Sequence, residues 1–302
     1  RPLKPGDSGR PEERVREVSV GFLREDMLVQ RFKEALGACL FAIAGDCMSQ
    51  LATLTTDLRL SVISENLGLL MEAYASLDML EYKRALSRVT KAVRVISGRK
   101  DFALIEDLVL RQEKVLRELA SQDKETVTGL VDIYHNSVRS YHRGAYADCL
   151  ARLYRVYEGA VYLRLRNLGI EPVNLEKSHD KTGLVGDLLS RGITLLGLNT
   201  ALKVLTAKDR AAESALLATV EIARLDGGYR RGTLASLLES LREVRNHSVV
   251  GHNMRSVSED EAWQAVQLGE KVLECLCGKE ALEAIRSYPF ARGSLEGLGE
   301  VF

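Results

Sequence analysis

Hydrophobic side chains recur every three or four positions along most of this chain, which is the period of an amphipathic α-helix. The pattern is clearest over residues 146–168, where Leu150, Leu153 and Tyr157 share one side of the predicted helix. Proline, which breaks helices, is absent between residues 11 and 172. The pattern predicts helices over residues 26–45, 47–77, 80–97, 101–121, 126–142, 146–168, 200–225 and 233–252, and one that begins at 258.

The predicted helices are joined mostly by short turns. Only residues 171–200 are less regular, and residues 226–232 form a glycine-rich loop. These elements predict an all-α fold, either a helical bundle or an αα-hairpin array, with a further helical domain toward the C-terminal end.

The charge of the chain gives no general argument for nucleic-acid binding. Basic and acidic residues number 42 each, so the formal net charge is zero and any RNA contact has to come from a local cluster. The candidates lie beside the apolar stripe of the helix at 146–168 and in the loop at 226–232. They are Arg152, Arg155, Arg230 and Arg231. Ordinary solvated arginines are the alternative interpretation of all four.

The cysteine pattern predicts neither disulfides nor a metal site. Five cysteines are present, and Cys275 and Cys277 have the wrong spacing for a zinc knuckle. No apolar run is long enough to span a membrane. We therefore expect a reduced, cytoplasmic protein without a metal or cofactor.

The helix predicted over residues 233–252 has Thr233 as its N-cap and carries two polar residues on its apolar face. Because each residue advances the helix by about 100°, Arg245 and His252 lie within about 20° of the centre of that face. A buried arginine is costly unless it is paired or faces a functional cleft, so a site is expected here. Leucines define the same face: Leu234, Leu237, Leu238 and Leu241.

A second string on the same helix, Arg242-x4-His247, has similar spacing. Its two side chains point about 140° apart on an intact helix, so they cannot serve one site. Helical geometry therefore favours Arg245 and His252, with Asn246 at the edge of the apolar face.

The string Arg245-Asn246-x5-His252 resembles the Arg-x4–6-His motif of HEPN ribonucleases. The flanking residues 241–252 are similar to the variant in CRISPR-associated ribonucleases of type III systems, which ring nucleotides activate. The resemblance covers residues 28 to 277, and the motif helix is its specific part. It implies that Arg245, Asn246 and His252 are catalytic, and that two motif helices complete one site across the two-fold axis of a homodimer.

The resemblance also implies an activity and a biological role. The expected enzyme is a metal-independent endoribonuclease that cleaves single-stranded RNA through the 2′-hydroxyl in antiviral defence. The residues suit that chemistry, because Arg245 can hold two phosphate oxygens and His252 can move a proton near neutral pH. The alternative is a catalytically silent all-α scaffold or adaptor, with Arg245 and His252 as a buried structural pair. Such a scaffold would bind a protein, peptide or nucleic-acid partner.

Family members usually carry an N-terminal CARF sensor, then a helical linker, then the HEPN domain. The glycine-rich nucleotide-binding loops of a CARF sensor are not found in this chain. A cyclic oligoadenylate activator is therefore expected only if a CARF domain exists outside it. The expected division of the chain is a linker or the end of a missing domain (1–20), a helical linker domain (21–125), a HEPN-like ribonuclease domain (126–280) and a loosely ordered tail (281–302).

Overall fold

The computed structural model describes residues 20–248 and 255–302, and within these ranges it confirms the all-α fold. The predicted linker at 1–20 lies outside the described residues except for its last position. None of the described helices combines the length and the apolar character that crossing a membrane requires.

The first half of the described chain is an array of antiparallel helices, each packed on the next. The helices are α1 (Val20–Gly37), α2 (Phe41–Leu54), α3 (Leu58–Asp78), α4 (Tyr82–Ile96) and α5 (Glu106–Ser121). The bounds of the two helices predicted at 26–45 and 47–77 are wrong, because the chain turns between α1 and α2 and again between α2 and α3. Cys39 has a φ of 56° between α1 and α2, and the Asp57 carboxylate caps α3 by accepting from the amide of Arg59 at 2.8 Å.

The second half is built around one long helix, α7 (Tyr146–Asn167), which follows the predicted stripe. It packs against α6 (Val127–His142), α9 (Leu198–Lys208), α11 (Leu234–His247) and α12 (Glu259–Cys277). At the α7–α12 contact a Cβ on Gly269 would lie 2.6 Å from a methyl of Leu153, so only glycine allows this approach. Two shorter helices, α8 (Leu184–Ser190) and α10 (Arg210–Leu217), complete this half up to the hairpin.

The helix predicted at 200–225 is wrong beyond residue 217, because a β-hairpin follows α10. Strand β1 (Thr219–Ala223) pairs antiparallel with β2 (Tyr229–Thr233), in a register that places Thr219 opposite Thr233. The β-branched residues of β1 and the Asp226-Gly227-Gly228 turn favour this hairpin, and Gly227 has a φ of 83°. The predicted loop at 226–232 is therefore the turn and most of β2.

The motif helix is shorter than predicted. Thr233 caps α11 as expected, with its hydroxyl accepting from the amide of Ser236 at 3.2 Å, but the helix ends at His247 rather than at residue 252. The amide and hydroxyl of Ser248 both donate to the carbonyl of Arg245, at 3.2 and 2.7 Å, and Ser248 then pairs with Arg255 in an isolated parallel bridge. Serine hydroxyls compete with helical hydrogen bonds and valines have low helix propensity, so Ser248-Val249-Val250 is a poor continuation.

Residues 281–302 are not the loosely ordered tail that the sequence predicted. They include the end of α13 (Lys279–Ser287) and α14 (Arg292–Glu296), and Phe290, Leu295 and Leu298 are buried. Residues 285–292, here called the closing segment, contact both halves of the molecule. The carbonyl of Pro289 accepts from Gln112 of α5 at 2.9 Å, and that of Phe290 accepts from Arg139 of α6 at 2.9 Å.

Candidate functional site

The apolar face of α11 is buried within the chain itself. Its four leucines are between 0% and 7% exposed and lie against the neighbouring helices, which include α7 and α12. The chain's own helices therefore cover this stripe. A second copy is not needed to cover the leucines, and Asn246 and His247 at the polar end of the helix remain exposed.

Arg245 lies in the last turn of α11 and is half-buried. Its guanidinium carbon stands 5.0 Å from the centre of the Tyr154 ring, which comes from the middle of α7. One terminal nitrogen, Nη1, donates to Oδ1 of Asn246 at 3.2 Å. The Nε atom is buried and has no hydrogen-bond acceptor among the described residues. The cation is thus held against an aromatic face rather than by a carboxylate.

Tyr154 remains a neutral phenol in this environment. Burial raises the pKa of Tyr154, the charge of Glu158 raises it further, and the positive charge of Arg245 opposes both effects. A neutral ring keeps the negative electrostatic potential on its face that attracts the guanidinium. Tyr154 could not be selected from the sequence, because it lies beside the apolar stripe of α7 and Arg245 is far from it along the chain.

The second string on α11 does not form one site. Arg242 is hydrogen-bonded to Asn199 and paired with Glu239, whereas Nδ1 of His247 contacts the backbone carbonyl of Glu243 at 2.7 Å. Both residues lie within the intact part of the helix, where the angle between them separates their side chains. Their contacts are with different groups, as the geometric argument requires.

His252 lies outside the described residues, between Ser248 and Arg255. Because α11 ends at His247, helical geometry no longer predicts that His252 lies on the same face as Arg245. The structure brings together Arg245 and the exposed Asn246 from the predicted set, and it adds Tyr154.

The four arginines proposed for RNA contact bind different groups. On α7, Arg152 pairs with Asp148 at 2.9 Å and donates to the backbone carbonyl of Asp78 at 3.1 Å, so its guanidinium is engaged inside the protein. Arg155 pairs with Glu158 on the exposed side of the same helix.

The other two arginines lie on the exposed strand β2. Arg230 donates to Gln264 at 3.4 Å, and Arg231 lies 3.6 Å from the carboxylate of Glu221. Of the four, Arg155, Arg230 and Arg231 remain on exposed surface, and Arg152 has the contacts of a structural residue.

A buried polar cluster lies apart from Arg245, where α3 and α6 meet the closing segment. Asp132 accepts from the hydroxyls of Tyr82, at 3.0 Å, and Tyr288, at 2.7 Å. Burial raises the pKa of Asp132, and the charge of Arg139 together with these hydrogen bonds opposes the shift. Arg139 in turn pairs with Asp78 at 2.8 Å. These contacts connect elements of the fold, so we assign the cluster a structural role.

A comparison with protein families supplies an independent finding. A family model described as the Csm6 HEPN domain matches residues 118–275, which is more than half of the 302 residues. The matched range contains all of α6 to α11 and most of α12, and therefore both Tyr154 and Arg245. A comparison with curated proteins found no match.

Proposed function

Since the chain belongs to the CRISPR-associated family of the Csm6 HEPN domain, we propose that it is an endoribonuclease that cleaves single-stranded RNA without a metal ion. The observation that carries the proposal is the placement of Arg245. Its guanidinium lies at the end of the motif helix, where it packs against the ring of Tyr154 and lies beside the exposed amide of Asn246. A cation held without a neutralising carboxylate is suited to an anionic substrate such as a phosphodiester.

The proposed reaction uses the nucleophile that RNA carries. The 2′-oxygen attacks the adjacent phosphorus and loses its proton to a base, while the 5′-oxygen of the next nucleotide leaves and gains a proton. The products are a 2′,3′-cyclic phosphate and a 5′-hydroxyl end. His252 is the residue proposed to move the proton, and Arg245 stabilises the charge on the phosphorane oxygens. Asn246 orients the guanidinium through its 3.2 Å contact or binds a substrate oxygen.

We also propose that two copies form one composite site. A single Arg245, Asn246 and His252 set is sparse, and a two-fold axis near the end of α11 would place two such sets around one RNA strand. Asn246 is exposed at that end of α11 and is available to a second copy. A cyclic oligoadenylate would act on this protein only through a sensor domain outside the chain.

The experiment compares three variants on a fluorescent single-stranded RNA, with EDTA present throughout. Arg245→Ala and His252→Ala should each lower the cleavage rate, and loss of the proton-transfer group should cost about 10²–10⁴-fold. His247→Ala is the matched control, because it removes the histidine of the other string, and it should retain most of the activity. The same sequence with 2′-deoxyribose should stay intact, since it has no nucleophile.

Melting temperatures of all variants separate a chemical role from a structural one. Wild-type cleavage with unchanged activity in a folded His252→Ala variant would contradict the proposal. An inactive wild type together with an Arg245→Ala variant that unfolds would favour the scaffold alternative. Light scattering that finds a fully active monomer would refute the composite site alone.

A further inference from the structure

The contact between α7 and the end of α11 gives a role to a tyrosine that lies outside the motif helix. We propose that Tyr154 is the positioning residue for Arg245, an inference that rests on the proposed ribonuclease function. The ring of Tyr154 lies 5.0 Å from the guanidinium carbon, and both side chains are half-buried. The pair joins two helices that pack directly against each other.

Arg245 needs such support because of where it lies. It belongs to the last turn of α11, whose final backbone groups bind Ser248 rather than a further helical turn. A long side chain at a helix end samples many rotamers, and a guanidinium that stabilises a transition state has to be held in one of them. Packing against the rigid middle of α7 removes much of that freedom.

An aromatic ring holds the arginine without neutralising its charge. One turn earlier, Arg242 is neutralised by Glu239, whereas none of the salt bridges between described residues involves Arg245. The nearby carboxylate of Glu158 is paired with Arg155 instead. A carboxylate on Arg245 would compete with the phosphate, but a ring face attracts the cation and leaves it free to bind an anion.

The contact also orients the guanidinium. Its Nε edge is buried, and Nη1 reaches Asn246, while Nη2 makes no hydrogen bond to any described residue. The ring and the amide together fix the plane and the rotation of the group. The hydroxyl of Tyr154 takes part in no hydrogen bond with a described residue, so the ring is the functional part of the side chain.

The kinetic test compares Tyr154→Leu, which removes the ring, with Tyr154→Phe, which keeps it. Tyr154→Leu should lower kcat about tenfold with little change in KM. A misoriented cation loses more of its interaction with the transition state than with the bound substrate. Tyr154→Phe should restore most of the rate. Tyr146→Leu, which removes another half-buried tyrosine from α7, is the matched control and should cleave at the wild-type rate.

A double variant tests whether Tyr154 acts through Arg245. In an Arg245→Ala background, Tyr154→Leu should add no further loss to the residual rate, since the group that it positions is already gone. An equal loss in both backgrounds, or a folded Tyr154→Leu variant with the wild-type kcat, would overturn the inference.

A spectroscopic measurement tests whether Tyr154 positions Arg245 without an activity assay. In protein labelled with ¹⁵N-arginine, the Nε–H signal of Arg245 is identified by its absence from Arg245→Ala. It should be shifted upfield by the ring and rigid in the wild type and in Tyr154→Phe. In Tyr154→Leu it should move toward the signals of mobile arginines, and an unchanged signal there would overturn the inference. If the wild type cleaves no RNA, the proposed function fails, and this comparison still tests the positioning of Arg245.

Discussion

His135 shows how a single buried residue can make the stability of the whole chain depend on pH. Its Nε2 lies 2.9 Å from the carbonyl of Ile285, and its ring stacks on Tyr288 with 4.9 Å between centroids. Burial and, to a smaller extent, the charge of Arg139 lower the pKa of His135 to about 4, although the bond to Ile285 opposes the shift. The native state therefore holds this imidazole neutral at pH values where an unfolded chain would protonate it.

The sign of the pH effect follows from that difference. Between pH 6.5 and 4 the unfolded state binds more protons at this position, so the free energy of unfolding decreases as the pH falls. Between pH 7 and 5 the loss should be about 2 kcal/mol. Asp132 works in the opposite direction, because its raised pKa favours the protonated native state.

Urea denaturation of the wild type and of His135→Gln at several pH values isolates this contribution. Glutamine can still donate to the carbonyl of Ile285 but does not titrate. The difference in free energy of unfolding between the two proteins should change by about 2 kcal/mol from pH 7 to 5. Parallel curves would show that His135 has the same pKa in the folded and unfolded states.

At the scale of the element, helices with a regular apolar stripe and a local capping signal were predictable. The stripe of α7 and the N-cap of α11 lie where the sequence placed them. The predicted helix start at 258 is confirmed by a capping box, in which the side chains of Ser258 and Glu261 each bind the backbone amide of the other. Such signals involve residues three or four positions apart, which is why the sequence alone reveals them.

The misplaced elements have physical reasons as well. The hairpin was missed because apolar spacing in its first strand also fits a helix, and the strand depends on β2 for its hydrogen bonds. The end of α11 was missed because the apolar period continues past Ser248, whereas the serine and the bridge to Arg255 end the helix. Arg245 and Asn246 could be selected from the motif string. Tyr154 could not, because its contact exists only once α7 and α11 pack together.

The capping box gives a prediction at this scale. Ser258→Ala removes the acceptor for the amide of Glu261 and should lower the free energy of unfolding by about 1 kcal/mol. Ser256→Ala, two residues earlier and also exposed, is the control and should change it by much less. Urea denaturation measures both, and equal effects would show that the box does not stabilise α12.

At the scale of the whole molecule, the closing segment connects the two halves. It meets α5 through Gln112 and α6 through Arg139, and Arg292 donates to the carbonyl of Gly37 at the end of α1, at 2.9 Å. The ring of Phe290 also packs edge-on against Tyr74 of α3, with 5.7 Å between centroids. Loss of packing in one half should therefore destabilise the other half.

We expect the two halves to unfold together. The single tryptophan, Trp263, lies in α12 and reports on the second half, whereas circular dichroism reports on all helices. Leu70 is buried in α3, so Leu70→Ala should lower the free energy of unfolding by about 3 kcal/mol. It should shift both urea midpoints equally. In Phe290→Ala the two midpoints should separate. If Leu70→Ala left the urea midpoint measured by tryptophan fluorescence unchanged, this coupling would be contradicted.

The closing segment also imposes an order on synthesis. Phe290 is translated 151 residues after Arg139, and Pro289 is translated 177 residues after Gln112. At roughly 5–20 residues per second, the ribosome needs on the order of 10 s to supply these partners. During that interval the groups of Arg139 and Gln112 that bind the closing segment stay hydrated on the nascent chain. Packing of the first half is therefore completed only when a much later part of the message has been read.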